Sequence, residues 1–180
     1  NEVSLTGSRL AMMQQLSNAH QQVALVTLFD EVWVKWPISI KPLPRLISAL
    51  CAACEAEPKL NAWFKEDTLI LHKEVNLGLA INTPHGLFVP VIHQANSLTQ
   101  TQLVEHIRIL KQSAQQHQLT ARQLQGATIS LSNFGMMAGR FATPMIVPPQ
   151  VAILGVGKIE QRAMLSKKGN IKTKTVIPLS

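Results

Sequence analysis

The chain has no tyrosine, and its aromatic residues are five phenylalanines and three tryptophans. Proteins that hold single-stranded nucleic acid stack bases on aromatic faces along a basic groove. So few rings argue against that class, although the formal net charge is +7. The lysines and arginines are scattered, and a small anionic ligand such as a phosphorylated cofactor suits such a balance at least as well. Charge itself is scarce: 15% of residues are charged against 46% apolar. A lean ratio of this kind predicts that other subunits cover part of the apolar surface. No uninterrupted apolar run approaches the roughly 18 residues of a membrane span, so no membrane helix is expected. The opening residues, NEVSLTG, carry neither an initiating methionine nor a basic-then-apolar leader pattern, which predicts a part of a longer protein. Only two cysteines occur, Cys51 and Cys54. A lone C-x-x-C is half a zinc site at most. It falls in mid-helix pattern, away from the helix N-terminus that would lower a redox thiol's pKa. The pair reads as buried core thiols in a reducing compartment, and no metal site is expected.

What is present is a mixed pattern. Apolar residues at helical spacing predict a helix from Arg9 to about His20, a second from Arg45 to Ala56 stopped by Pro58, and a third from Leu98 to Leu110 capped by Ser97 or Thr99. Val23–Val34 reads as one long strand broken at Trp36-Pro37. Asn61–Phe64 and Thr68–His72 are short strand candidates. Asn76–Ile81 and Leu87–Ile92 flank Thr83-Pro84-His85-Gly86 and read as a hairpin. A short helical turn at Ala121–Leu124, then strands at Ala127–Ser132, Val151–Val156, Gly157–Leu165 and Ile171–Leu179, complete the order, with a turn at Lys167–Asn170. Residues 1–180 are expected to form one domain, a two-layer α/β sandwich of a mixed sheet with helices packed on it.

The stretch Gly126–Gly157 stands out. Two strand-like runs enclose a Gly/Pro-shaped loop, and Ser132 sits where the first run gives way to it. Two rigid strands holding an irregular loop are a common way to place a functional group. From the residues alone a serine before a glycine-containing turn reads as a turn residue rather than a chemical one. Gly155-Val156-Gly157 lacks the third glycine and following helix of a dinucleotide fingerprint. None of the six histidines, at 20, 72, 85, 93, 106 and 117, is spaced with Asp or Cys for a metal or triad. Met12, Met13, Met136 and Met137 read as packing, the last two in the loop.

Several segments in this order, SLTGSRLAMMQQL, VTLFDEV, NLGLAINTPHGLFVPVI, LQGATISLSNFG and PPQVAILGVGKI, resemble the catalytic core of the acyltransferase component of 2-oxoacid dehydrogenase complexes, of the pyruvate or branched-chain type. The resemblance implies a fold like chloramphenicol acetyltransferase and homotrimers that assemble into a large hollow core. It implies acyl transfer between dihydrolipoyl-lysine, carried on a separate lipoyl domain, and coenzyme A. It also implies association with 2-oxoacid decarboxylase and dihydrolipoamide dehydrogenase components, in bacterial cytoplasm or the mitochondrial matrix. By the same resemblance Ser132 donates its hydroxyl to the tetrahedral oxyanion. Asn133, Ser39, Lys111, Gly157 and Ile159 match positions lining the coenzyme A pocket. Asn82 stands where the family has an aspartate, so the contact there keeps a hydrogen-bonding side chain and loses a charge. Arg9 matches a basic position near a subunit contact.

Two departures from the family pattern qualify this. The helix that the family carries between the strand ending near Trp36 and the strand at Ile38–Ile40 is missing, since Pro37 follows Trp36 directly, and with it an arginine that contacts coenzyme A. The sequence also stops at Ser180, before the Asp-His-Arg motif that holds the family's general-base histidine. Both segments are expected in a fuller polypeptide, since loops and termini are the parts most readily lost. Two other classes stand beside the acyltransferase: a scaffold of the same fold that builds the shell without the base, and, on net charge alone, a nucleic-acid-binding domain.

Overall fold

The computed structural model describes residues 4, 7–36, 41–84, 86–137, 139–165 and 169–180. In chain order the elements are α1 (Gly7–Gln22), β1 (Asp30–Val34), α2 (Pro42–Ala56), β2 (Ala62–Lys65), β3 (Thr68–Leu71), β4 (Leu77–Leu79), β5 (Ile81–Thr83), β6 (Gly86–Phe88), β7 (Val91–Ile92), α3 (Gln100–Gln115), β8 (Ile129–Asn133), β9 (Ile153–Val156), β10 (Glu160–Leu165) and β11 (Ile171–Leu179). Short 3-10 turns cover Pro58–Leu60, Ala95–Ser97 and Arg122–Leu124.

The main sheet runs β1–β11–β9–β8–β4–β7, with β10 also paired to β11. Its centre is parallel: β4 runs with β8, and β8 with β9. The flanking pairings are antiparallel, so the sheet is mixed, as expected. Helices α2 and α3 lie together over it. Leu46, Ile47, Leu50, Cys51 and Cys54 of α2 and Leu103, Ile107, Leu110 and Ala114 of α3 form one core with Leu77, Leu79, Ile129, Leu131, Val156 and Ile177 of the strands.

Local sequence accounts for the helix ends. Pro42 and Pro44 occupy the first turn of α2, where the missing N–H costs nothing. Thr99 caps α3 in a reciprocal box: its hydroxyl takes the Gln102 N–H, and the Gln102 side chain takes the Thr99 N–H at 2.8 Å.

The long strand expected at Val23–Val34 is a correction. Only Asp30–Val34 is a strand, paired from Asp30↔Leu179 to Val34↔Thr175. Residues 23–29 alternate between half-buried and exposed as a strand would, with Val26 and Leu28 about four-fifths exposed (80% and 81%), but no described strand lies alongside. The pattern is present without a backbone partner, and a ladder needs both.

The expected hairpin splits in two. Leu77↔Ile92 and Ile81↔Phe88 share one register, but β4–β7 belong to the main sheet and β5–β6 stand apart. Leu79 N–H donates to the Pro90 carbonyl at 2.8 Å, and proline has no N–H to return the bond. Ala80 N–H turns instead to the Leu131 carbonyl of β8 at 2.9 Å. His85, the residues from Pro37 to Ile40 with Ser39 among them, and the first half of the Lys167–Asn170 turn lie outside the described residues.

Cys51 and Cys54 are buried and free, as expected of core thiols. Burial pushes both up from 9.0 to about 11, with the neighbouring Cys54 and Glu55 adding to the shift at Cys51 and Glu55 to that at Cys54. The thiolate fraction at neutral pH is therefore about 100-fold below that of a free thiol. Iodoacetamide at pH 7 is expected to label neither cysteine in the folded protein and both in denaturant, read by intact mass; rapid native labelling would contradict the burial. The unfolded chain releases these protons from about pH 9, whereas the fold holds them to about 11. Their contribution to stability is thus complete below pH 9 and is lost as pH rises through 11.

Candidate active site

Strand β8, ISLSN, reads out its own placement. Side chains alternate across a strand. Ile129 and Leu131 point into the helix-packed core, so Ser130 and Ser132 point to the opposite face. Ser130 is buried there, and its hydroxyl donates to the Gln150 side chain at 2.7 Å. Ser132, one step nearer the strand end, is half-buried, and its hydroxyl is committed to no side-chain or backbone bond among the described residues. Crevices beyond the carboxyl ends of parallel strands are where open α/β sheets take their ligands. Ser132 stands at that end, opposite Gly155 of β9.

The loop after β8 closes over the same end. Phe134 N–H bonds the Val156 carbonyl at 3.0 Å, and Met137 N–H bonds the Phe134 carbonyl at 2.8 Å. Gly139 and Arg140 then cross against Gly157, with Lys158 N–H on the Gly139 carbonyl at 2.8 Å. The glycines there are needed for backbone contact: a Cβ on Gly135 would stand 2.5 Å from the Gly157 oxygen, and one on Gly157 would fall on the Arg140 carbonyl. Further on, Pro149 accepts Phe64 N–H of β2 at 2.8 Å, which ties the loop's far end to the β2–β3 ribbon.

Among the residues singled out from the sequence, Ser132, Asn133, Asn82 and Gly157 come together. Asn133 is exposed at the end of β8, opposite Val156 of β9, with its side-chain oxygen 3.4 Å from the Gly135 N–H. Asn82 reaches across from β5, its amide donating to the Met137 sulfur at 3.4 Å. Met136 is almost fully exposed. Lys111 is exposed on α3, a helix packed against β5. Ile159, between Gly157 and β10, is partly buried and packs on the core. Arg9 is exposed on α1.

His72, His93 and His117 stand in other surroundings. His72 packs edge-on against Trp63 at 4.5 Å, and burial, then the Lys65 charge, lower its pKa. His93 lies 3.1 Å from the Arg122 carbonyl, and His117 meets the Phe88 ring.

Two constellations gave no sequence signal. Asn61 is 1% exposed; its amide donates to the His72 and Glu74 carbonyls at 2.7 and 3.1 Å and its oxygen accepts from Thr128. The same Thr128 oxygen takes the Asn76 N–H at 3.0 Å, aligning the starts of β4 and β8. The second joins Glu31, Arg140, Glu160 and Arg162 from three separate segments. The Arg162 guanidinium, and after it Arg140's, hold the Glu31 carboxyl below its usual 4.5 against the opposing effect of burial.

The sequence profile of the 2-oxoacid dehydrogenases acyltransferase (catalytic domain) family matches residues 35–180. The chain belongs to this family. As a member of the acyltransferase family, it is 34% identical over 189 aligned positions to the dihydrolipoyllysine-residue acetyltransferase component of the pyruvate dehydrogenase complex of Staphylococcus aureus, covering 96% of this chain and 44% of that protein. The Staphylococcus epidermidis counterpart is 33% identical, with 43% of its length covered. This chain therefore spans less than half of these relatives.

Solved structures agree with the family. Dihydrolipoamide acetyltransferase of Azotobacter vinelandii, in which a serine, a histidine and an asparagine were investigated for catalytic roles, superposes with a TM-score of 0.90 at 27% identity, over 99% of this chain and 80% of that one. The cubic core of a pyruvate dehydrogenase multienzyme complex gives the same values. Chloramphenicol acetyltransferase, at 14% identity and a TM-score of 0.50 over 92% of this chain and 82% of that one, shares the fold.

Proposed function

We propose that this domain transfers an acyl group between a dihydrolipoyl thioester and coenzyme A. We further propose that its copies form homotrimers that build the hollow core of a 2-oxoacid dehydrogenase complex. The observation that supports this most directly is the half-buried Ser132 hydroxyl, uncommitted among the described residues, at the carboxyl end of parallel strands in a chain of the acyltransferase family. As coenzyme A sulfur attacks the thioester carbon, the C–S bond to the lipoyl group breaks and the carbonyl oxygen passes through a negatively charged state. Ser132 donates a hydrogen bond to that oxygen. Asn133, Asn82, Gly157, Lys111 and Ile159 line the coenzyme A side. The exposed Lys111 ammonium suits the phosphates, and the Asn82 amide keeps hydrogen bonding without the repulsion a carboxylate would bring.

The attacking thiol must lose its proton. The acceptor in this reading is the family's histidine from the Asp-His-Arg motif, supplied across a subunit boundary, and not one of the six histidines of these residues. Acetyl is the acyl group favoured, on the strength of the Staphylococcus relatives. The lipoyl group would arrive on a separate domain, and the decarboxylase and dihydrolipoamide dehydrogenase would bind the assembled core, in the bacterial cytoplasm or the mitochondrial matrix. The exposed Val26, Leu28, Met136, Leu165 and Ile171 support assembly, since so much apolar surface is rarely left bare.

The test is acetyl-coenzyme A formation by the full-length protein from acetyl-dihydrolipoamide and coenzyme A, with particle size from light scattering. Turnover by particles in multiples of three is expected. An assembled particle without turnover would leave only the scaffold reading, and a monomer would contradict the core.

A further inference from the structure

The loop joining β8 to β9 carries one charged side chain that leaves the loop for other elements. Arg140 pairs with Glu31 on β1 and stands 4.0 Å from Glu160 on β10. Arg162, also on β10, bonds Glu31 at 2.8 Å and Glu160 at 2.6 Å. Two arginines and two glutamates thus alternate around a ring whose charges cancel. The next residue, Phe141, meets Phe29 edge-on at 5.4 Å, just ahead of β1. Two successive residues therefore fasten the loop to the edge of the sheet.

The members of the ring are between 23% and 48% exposed, and ion pairs at that exposure add little to global stability. What an arginine held by two carboxylates does supply is fixed orientation. The orientation matters here because the anchored corner, Gly139–Arg140, lies on Gly157, and the same loop begins at Asn133 and carries the Met137 sulfur that receives Asn82.

We infer that Arg140 is a positioning residue: through Glu31, Glu160 and Arg162 it sets where loop residues 134–137 and 139–141 sit over the carboxyl ends of β8 and β9, and so the aim of Ser132. The inference rests on the acyl transfer proposed above. Its test compares the full-length protein with Arg140→Ala, Arg140→Lys and Glu31→Gln, and with Arg108→Ala as control, since Arg108 pairs with Glu105 and Gln112 on its own exposed helix face. Arg140→Ala is expected to lower kcat about 10-fold with KM for coenzyme A within about twofold, as a misplaced group does. Exchange of the Lys158 amide should quicken while β4 amides and the melting temperature stay near wild type. Arg140→Lys should recover part of kcat by holding one carboxylate, and Glu31→Gln, similar in size, should reproduce the split by a second route. Arg108→Ala should match wild type. If the wild type transfers acyl groups and Arg140→Ala equals it, or if Lys158 exchange is unchanged, the positioning role is overturned and the reaction stands. A wild type with no transfer removes the reaction and this inference together.

Discussion

Replacing Ser132 by alanine should lower kcat of the full-length protein by about 10²–10³, roughly 3–4 kcal/mol of transition-state stabilisation, while KM for coenzyme A stays within about twofold. The separation follows from what the hydroxyl can touch. It stands at the strand end with no partner of its own among the described residues, so its removal breaks nothing in the folded state. A bond made only to an oxyanion appears in kcat and kcat/KM equally and leaves ground-state binding alone. Ser130 is the internal comparison. It lies two residues earlier on the same face, buried and bonded to Gln150. Its alanine variant should cost about 1–2 kcal/mol of stability and little turnover, because it leaves the Gln150 oxygen short of a partner. Steady-state kinetics and thermal melts of both variants decide the matter; an unchanged rate in Ser132→Ala would take the serine out of the mechanism.

That contrast between neighbouring serines was half legible in the sequence. The alternation Ile129-Ser130-Leu131-Ser132 puts the serines on the face away from the core once the run is known to be a strand. Which serine is buried depends on Gln150, which only the fold brings alongside. The helices were legible for a similar reason: spacing, the Thr99–Gln102 box and Pro42 and Pro44 act within a turn or two. Val23–Phe29 shows the opposite case. Its composition and alternation are those of a strand, but strand formation needs a second chain segment in register, and the ladder on β11 ends opposite Asp30. The charge ring was invisible because Glu31, Glu160 and Arg162 meet only through the pairing of β1 and β10 with β11, and Arg140 joins them only where its loop crosses Gly157. Of the positions that motif resemblance singled out, Ser132, Asn133 and Gly157 sit within or beside one stretch, whereas Lys111 and Ile159 are related to it only through packing of whole elements.

Gly157→Ala should be the most damaging single methyl in the site region. The position has no left-handed backbone to protect; the demand is for space, because the new Cβ would fall on the Arg140 carbonyl and within 3.0 Å of its Cα. Both neighbours are backbone, so neither can rotate away, and the loop corner must lift, breaking the Lys158 to Gly139 bond. Overpacking of this kind costs about 2–3 kcal/mol, or roughly 5–10 °C in melting temperature for a domain this size. Because the corner also bears Arg140, acyl transfer should fall at temperatures where the variant is still folded. Gly135→Ala attacks the same crossing from the other side, since its Cβ would stand 2.5 Å from the Gly157 oxygen and 2.7 Å from the Lys158 Cα. Once one methyl has driven the two backbones apart, the second enters a gap already opened. The double variant should therefore lose less stability than the two single losses added together. Gly169→Ala, with no described residue within 4 Å of its Cβ and a φ of +79°, should cost the backbone strain, about 1 kcal/mol. Melting temperatures of the four variants measure this directly; a Gly157→Ala protein as stable and active as wild type would mean that the loop does not cross against β9 at this distance.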